Sequence, residues 1–119
     1  ETIMAGNLIT DSINGDNIAG GFLGTGQTWQ DVTSSRAMAV EYTNDTGKPI
    51  MISIEVLRPT VSTTGCDCVV DGVSVPVCYN TNSDGSNRAI GQIIIANGKT
   101  YKMLNSAESA TLNRWYELR

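Results

Sequence analysis

The sequence predicts an all-β protein: an antiparallel, β-sandwich-like head that follows a short, extended, repetitive stem. Three observations carry that prediction. Large aliphatic residues recur at every fifth position near the start (Ile3, Leu8, Ile13, Ile18 and Leu23), with Gly15 and Gly20 in phase, and Asp11 and Asp16 in phase. After Gly26 the pattern changes to apolar–polar alternation, strongest at Ile50, Ile52, Ile54 and Val56, which is the period of a strand with one buried face. Charged residues make up only 17% of the chain, and Gly, Asn, Ser and Thr are abundant, which suits strands and turns rather than helices.

A five-residue period fits neither an α-helix nor a two-sided strand. Each repeat offers one apolar residue and needs a neighbour to bury it, and the repeats are too few to form a solenoid alone. Copies of the same segment from other chains are therefore the expected neighbours. We divide the chain into a stem, residues 1–25, and a head, residues 26–119. A head of roughly 95 residues is one small domain, which gains from oligomerisation, disulfides or metal. The chain starts at Glu1 without a methionine and shows no signal-peptide pattern, so it reads as the end of a longer protein.

The elements follow in order. Gly20 to Gln27 is a glycine-rich joint. Thr28 to Thr33, with Trp29 and Val32, is a short strand candidate, and Met38 to Thr43 alternates with Met38, Val40 and Tyr42 on one face. Asn44-Asp45-Thr46-Gly47 is a turn. Pro49 to Leu57 is the strongest strand, with Ser53 and Glu55 opposite the aliphatic face. Pro59 to Gly65 is a polar loop. Asp71-Gly72 is a favoured two-residue hairpin turn; the register it predicts pairs Val70 with Val73, Cys68 with Val75 and Cys66 with Val77, placing all six on one core-facing side. Tyr79 to Asn87 is a long polar loop, and Asn97-Gly98 is expected to close a second hairpin between Ile90–Ala96 and Lys99–Leu104. That hairpin would be apolar on both faces, with Ile94, Tyr101 and Met103 on one and Ile93, Ile95 and Leu104 on the other. Its second face would suit a neighbouring subunit. Leu112 to Leu118 is read as a closing strand, although Asn105-Ser106-Ala107-Glu108 also has the form of a helix start.

A net charge of −4 argues against nucleic acid, which needs a basic stripe, and against anionic membranes. The longest aliphatic run, Ile93 to Ala96, is far too short to span a bilayer. Histidine is absent, which removes the commonest general base and metal ligand. Cys66, Cys68 and Cys78 lack the fourth ligand of a zinc site. The hairpin register sends Cys78 outward, so they read as three small hydrophobes from a reducing cytoplasm, with a disulfide or a metal as alternatives. Asn80-x-Asn82-x-Asp84-Gly85 matches the front half of a calcium loop, but Gly91 stands where the bidentate Glu belongs, leaving a solvated loop. Asn44-Asp45-Thr46 is a glycosylation sequon read here as turn residues. Carboxylates such as Glu55, Asp67 and Asp71 are read as solvated. Trp29 and Trp115 are expected in the core or at a subunit interface, with sugar stacking as the alternative. No catalytic group, metal or cofactor is expected, and the protein is read as non-enzymatic.

Gly26-Gln27-Thr28-Trp29-Gln30-Asp31-Val32-Thr33-Ser34-Ser35-Arg36, then Tyr42-Thr43-Asn44-Asp45-Thr46-Gly47-Lys48-Pro49-Ile50, and finally Trp115-Tyr116-Glu117-Leu118-Arg119, resemble the C-terminal head domain of tailed-bacteriophage tail fibres. The match covers about a quarter of the chain; the stretch from Arg58 to Asn87 departs from it, where such fibres vary. The resemblance implies a homotrimeric head on a trimeric shaft, in the virion, that attaches the particle to a host polysaccharide or outer-membrane protein. It also implies that Ile3, Leu8, Ile13, Ile18 and Leu23 turn inward around a threefold axis. Receptor contacts are then expected in the variable loops, from Thr60, Ser62, Thr63 and Thr64 and from Tyr79, Asn80, Asn82, Asp84 and Asn87. Exposed Asn, Asp and Tyr suit sugar hydroxyls. Two alternatives are a structural trimerisation tip without receptor contact and, more remotely, a depolymerase fragment.

Overall fold

The described residues form eight strands: β1 (Trp29–Asp31), β2 (Glu41–Thr43), β3 (Ile50–Arg58), β4 (Thr64–Val70), β5 (Val73–Asn80), β6 (Asn87–Ile95), β7 (Thr100–Asn105) and β8 (Thr111–Leu118). The structure is a computed structural model that describes residues 21–58, 63–81, 87–106 and 110–119. The expected stem positions Ile3, Leu8, Ile13 and Ile18 lie outside the described residues, and Leu23 is half-buried. The strands form two four-stranded antiparallel sheets, ordered β1-β8-β3-β6 and β2-β7-β4-β5. The protein is all-β, a β-sandwich, and the C-terminal segment is a strand.

The core lies between the sheets. Ile50, Ile52, Ile54, Val56, Ala89, Ile95 and Trp115 come from the first sheet, and Cys66, Cys68, Cys78, Tyr101 and Met103 from the second. The inward alternation along β3 is the one read from sequence. At Asp71-Gly72 both residues have positive φ, 51° and 85°, the backbone of a type I′ turn. A 3-10 turn at Thr33–Ser35 follows β1. Asp31 opens it, its Oδ1 accepting hydrogen bonds from the Thr33 N–H at 3.0 Å and the Thr33 hydroxyl at 2.6 Å.

Two expected registers fail. Ile90–Ala96 and Lys99–Leu104 do not pair as a hairpin: β6 pairs with β3, while β7 pairs with β2 and β4 in the opposite sheet. Asn97-Gly98 is a turn between layers, so Ile95, Tyr101 and Met103 all reach the core while Ile94 is 54% exposed. In the β4–β5 hairpin the pairs Val70–Val73 and Cys68–Val75 form as expected, but Cys66 faces Cys78 rather than Val77. A β-bulge at Val77 inserts one extra residue opposite the Cys66–Asp67 step and turns Cys78 inward, 8% exposed. Pro76 is tolerated beside it because β5 is an edge strand. The expected apolar face is also not buried along its whole length: Val73, paired with Val70 as expected, is 62% exposed.

Asn44 is also more than a turn residue. It is fully buried; its Nδ2 faces the carbonyls of Lys48 (2.7 Å), Ile95 (3.0 Å) and Ala96 (3.2 Å), and its Oδ1 accepts from the Thr46 hydroxyl at 2.7 Å. One amide thus joins the end of β2 in one sheet to the end of β6 in the other.

The two edge strands β5 and β6 meet where the layers close. Gly91 lies there, and a Cβ on it would stand 2.8 Å from the Val77 carbonyl carbon and 2.9 Å from the Cys78 Cβ. Backbone on the other side leaves no flexible group to yield. Gly91→Ala is therefore expected to lower unfolding stability by about 3 kcal/mol through overpacking, readable as a shifted urea midpoint; an unshifted midpoint would show that the layers part without cost.

Candidate functional site

The strand registers divide the sandwich into two ends. Residues 21–28 join one end: Lys48 Nζ donates to the Thr25 carbonyl at 2.7 Å and Gln27 Nε2 to the Pro49 carbonyl at 2.8 Å. Thr28 and Arg119 exchange backbone hydrogen bonds at 3.1 Å. The Asp71-Gly72 and Asn97-Gly98 turns are at this end, bridged by Lys99 and Asp71 at 3.3 Å.

At the opposite end, three connections emerge together. The pairs Arg58–Asn87, Thr64–Asn80, Cys66–Asn105 and Leu57–Thr111 bring the ends of β3, β5 and β7 beside the starts of β4, β6 and β8. Each connection is closed at its base by the last residue of the strand before it. Arg58 Nη1 donates to the Thr63 carbonyl at 2.9 Å, Asn80 Nδ2 to the Arg88 carbonyl at 2.6 Å, and Asn105 Nδ2 to the Ala110 carbonyl at 2.8 Å. One long arginine and two short asparagines thus each carry a side-chain N–H from the end of one strand to a carbonyl at or beside the start of the next.

The residues expected to bind a receptor are distributed unevenly over this end. Thr60, Ser62, Asn82 and Asp84 lie outside the described residues. Tyr79 is 69% exposed and covers Gly65, whose added Cβ would stand 3.2 Å from the Tyr79 ring. Thr63 is half-buried with its carbonyl engaged by Arg58, Asn80 is half-buried and spends its amide on the loop base, and Asn87 is in β6 opposite Arg58. Thr64 is fully buried and offers no surface.

The outward face of the first sheet carries features that the sequence reading missed. Trp29, Leu118, Met51 and Ile94 form one cross-strand row over all four strands. Trp29 is 50% exposed, so it is not a core residue. Farther from the end that residues 21–28 join, Ser53, Ile54, Glu55, Ile90, Arg114 and Tyr116 line a groove of about 180 Å³. Glu55 is only 2% exposed, contrary to the solvated role expected of it. Its Oε1 accepts from Arg114 Nε at 2.9 Å and from the Asn113 amide, and Arg88 Nε lies 2.9 Å from Oε2. The register shift between Glu55 and Val56 makes Asn113 an extra residue on β8, which lets it and Arg114 reach the same carboxylate. Strand parity placed Glu55 on this face, but neither the bulge nor the two flanking strands were readable from β3 alone.

The other buried carboxylate is Glu117, fully buried on the inward face. Its Oε1 accepts from Arg36 Nη2 at 3.0 Å and Arg119 Nη1 at 2.9 Å; its Oε2 accepts from Arg36 Nε at 3.0 Å, Trp115 Nε1 at 3.0 Å and the Tyr101 hydroxyl at 3.1 Å. Arg36 also stacks 4.7 Å above the Tyr42 ring, which meets Trp115 edge-on. Burial, with Glu117 beside it, pushes the Tyr101 phenol up to about 12. Every acceptor position is occupied and the group is sealed, so this cluster is structural. Parity with Trp115 two residues earlier was a signal for it in the sequence. Among the described residues, no group of three or more His, Cys, Asp or Glu is placed to hold a metal ion.

The Arg114 hydrogen bond holds the Glu55 carboxyl below its ordinary range, against burial, with Asn113 and Arg88 adding to the effect. A depressed folded pKa contributes stability that is present above the unfolded Glu value, about 4.3, and is lost as pH falls through the folded value. Glu55→Gln should cost about 1 kcal/mol at pH 7, the two arginines being half exposed, and should flatten the loss of stability below pH 4.3 or so. Urea titrations of both proteins across that range check the sign. No family model, curated protein or solved structure matches this chain.

Proposed function

We propose that this chain is the distal head of a tailed-bacteriophage tail fibre, a non-enzymatic homotrimer that attaches the virion to a bacterial surface polysaccharide or outer-membrane protein. The observation that carries this reading is the convergence of three braced connections at the end opposite residues 21–28. A head entered from one end and presenting closely spaced loops at the other is suited to recognition, because loops vary freely on a rigid scaffold. The residues behind the resemblance support it as well. Gln27, Arg36, Asn44, Lys48, Glu117 and Arg119 all make the bonds that hold the scaffold or its entry, whereas two of the three connections fall within the stretch where the resemblance lapses. Weak contacts repeated by three subunits would sum to strong avidity.

The second reading is a structural tip that holds the fibre together without touching the receptor. The row Trp29–Leu118–Met51–Ile94 favours a contact between copies, since an apolar row across a whole sheet is unusual on a free surface. The two readings share the trimer and differ in the loops.

Light scattering on a sizing column should give a mass near three times the 12.7 kDa chain. Labelled protein on a panel of bacterial isolates should bind some strains saturably. Tyr79→Ala combined with Asn82→Ala and Asp84→Ala should weaken that binding tenfold or more without changing the mass. Undiminished binding by the triple variant would favour the structural tip; a monomeric mass would remove the trimer from both readings.

A further inference from the structure

Cys66 and Cys78 occupy directly opposed positions on β4 and β5, and both face the core, 0% and 8% exposed. Their sulfurs are 2.9 Å apart, inside the ordinary contact distance of two unbonded sulfurs, and both are free thiols. Opposed residues of an antiparallel pair have Cα separations within the range that a disulfide spans. This juxtaposition depends on the Val77 bulge: without the extra residue Cys78 would point away, as the simple hairpin register required. The third cysteine has no such neighbour, since Cys68 pairs with Val75 and Met103.

We infer that Cys66 and Cys78 are a built oxidation site that closes to a cross-strand disulfide when the protein meets a hydroperoxide, while Cys68 stays a thiol. The two cysteines differ in the way such a reaction needs. The two thiols share one hydrogen bond, in which either can donate; that contact and burial push Cys66 up, while the contact brings Cys78 down in spite of burial. Burial pushes Cys68 up to about 11, against a backbone hydrogen bond at Lys102. Cys78, the one of the two that reaches the surface at 8% against 0%, is therefore the attacking sulfur. Its thiolate displaces hydroxide from hydrogen peroxide, giving the sulfenic acid. The Cys66 sulfur, losing its proton, then attacks the Cys78 sulfur and expels the sulfenic oxygen, which leaves as water. Two thiols are oxidised by two electrons and one peroxide is reduced to two waters. Reducing cytosol would keep the pair open and an oxidising exterior would close it. The closed form would tie β4 to β5 close to the connections that follow β3 and β5.

The test is peroxide treatment of the full chain at low molar excess, followed by thiol counting after denaturation and by mapping of unreduced peptides. The count should fall from three to one, with the peptides containing Cys66 and Cys78 linked. Melting temperature should rise by on the order of 10 °C and return on reduction. Cys68→Ser should still form the link, and Cys66→Ser should leave Cys78 as an uncoupled sulfenic or sulfinic acid. Three thiols persisting under these conditions, or a bond that includes Cys68, would overturn the inference.

Discussion

One buried carboxylate organises this molecule. Glu117 has no exposed surface, and a lone ionised group there would cost several kcal/mol in desolvation. It is tolerated because five donors converge on it: two from the fork of Arg36, and one each from Arg119, the Trp115 indole and the Tyr101 hydroxyl. Those donors come from both sheets, from the segment that passes between them after β1, and from the C-terminal residue. The aromatic rings of Tyr42, Tyr101 and Trp115 pack around the ion pair and exclude water from it. The segment after β1, a strand of each sheet and the chain's last residue are thus set against one point.

That constraint matters because the topology supplies little local help. Among the described strands, β4 and β5 are the one consecutive pair joined as a hairpin; every other connection passes from one sheet to the other. Such a chain gains no stability from near-neighbour pairing until distant strands meet, and loop closure must be offset by contacts formed late. Two polar devices do this. Both lie towards the end that residues 21–28 join, Glu117 opposite Ile52 near the start of β3 and Asn44 just beyond β2, each replacing backbone pairing with side-chain bonds between layers. The opposite end is braced separately by Arg58, Asn80 and Asn105. Scaffold and loop bases are held by different residues, so the connections can differ without disturbing the core.

Much of the fold was legible because it follows from period and turn chemistry. The inward face of β3, the Asp71-Gly72 turn and the strand at the C-terminus all rest on local pattern. What could not be read depends on partners far away in sequence. Asn97-Gly98 has the composition of a hairpin turn, yet strands with apolar residues on both sides can as well belong to two sheets as to one, and β6 and β7 do. A single extra residue, Val77, reversed the expected side of Cys78 and created the thiol pair. Glu55 looks solvated from sequence because its neighbours Arg88 and Arg114 arrive from β6 and β8, and because a bulge brings Asn113 and Arg114 to the same carboxylate. Of the candidate contacts, sequence composition could indicate polar loops, but not that Thr64 is buried or that Asn80 is occupied in bracing a loop base.

The most direct test of this account is a double-mutant cycle between Arg36 and Glu117, using Arg36→Met and Glu117→Gln, with unfolding free energies from urea titration. If the buried pair is the fastening point of the sandwich, Glu117→Gln alone should cost about 3–5 kcal/mol, and the coupling between the two sites should exceed about 2 kcal/mol. Coupling within error of zero, or a Glu117→Gln protein as stable as the parent, would contradict it. The layers would then be held by apolar burial alone, with the ion pair an incidental passenger in the core.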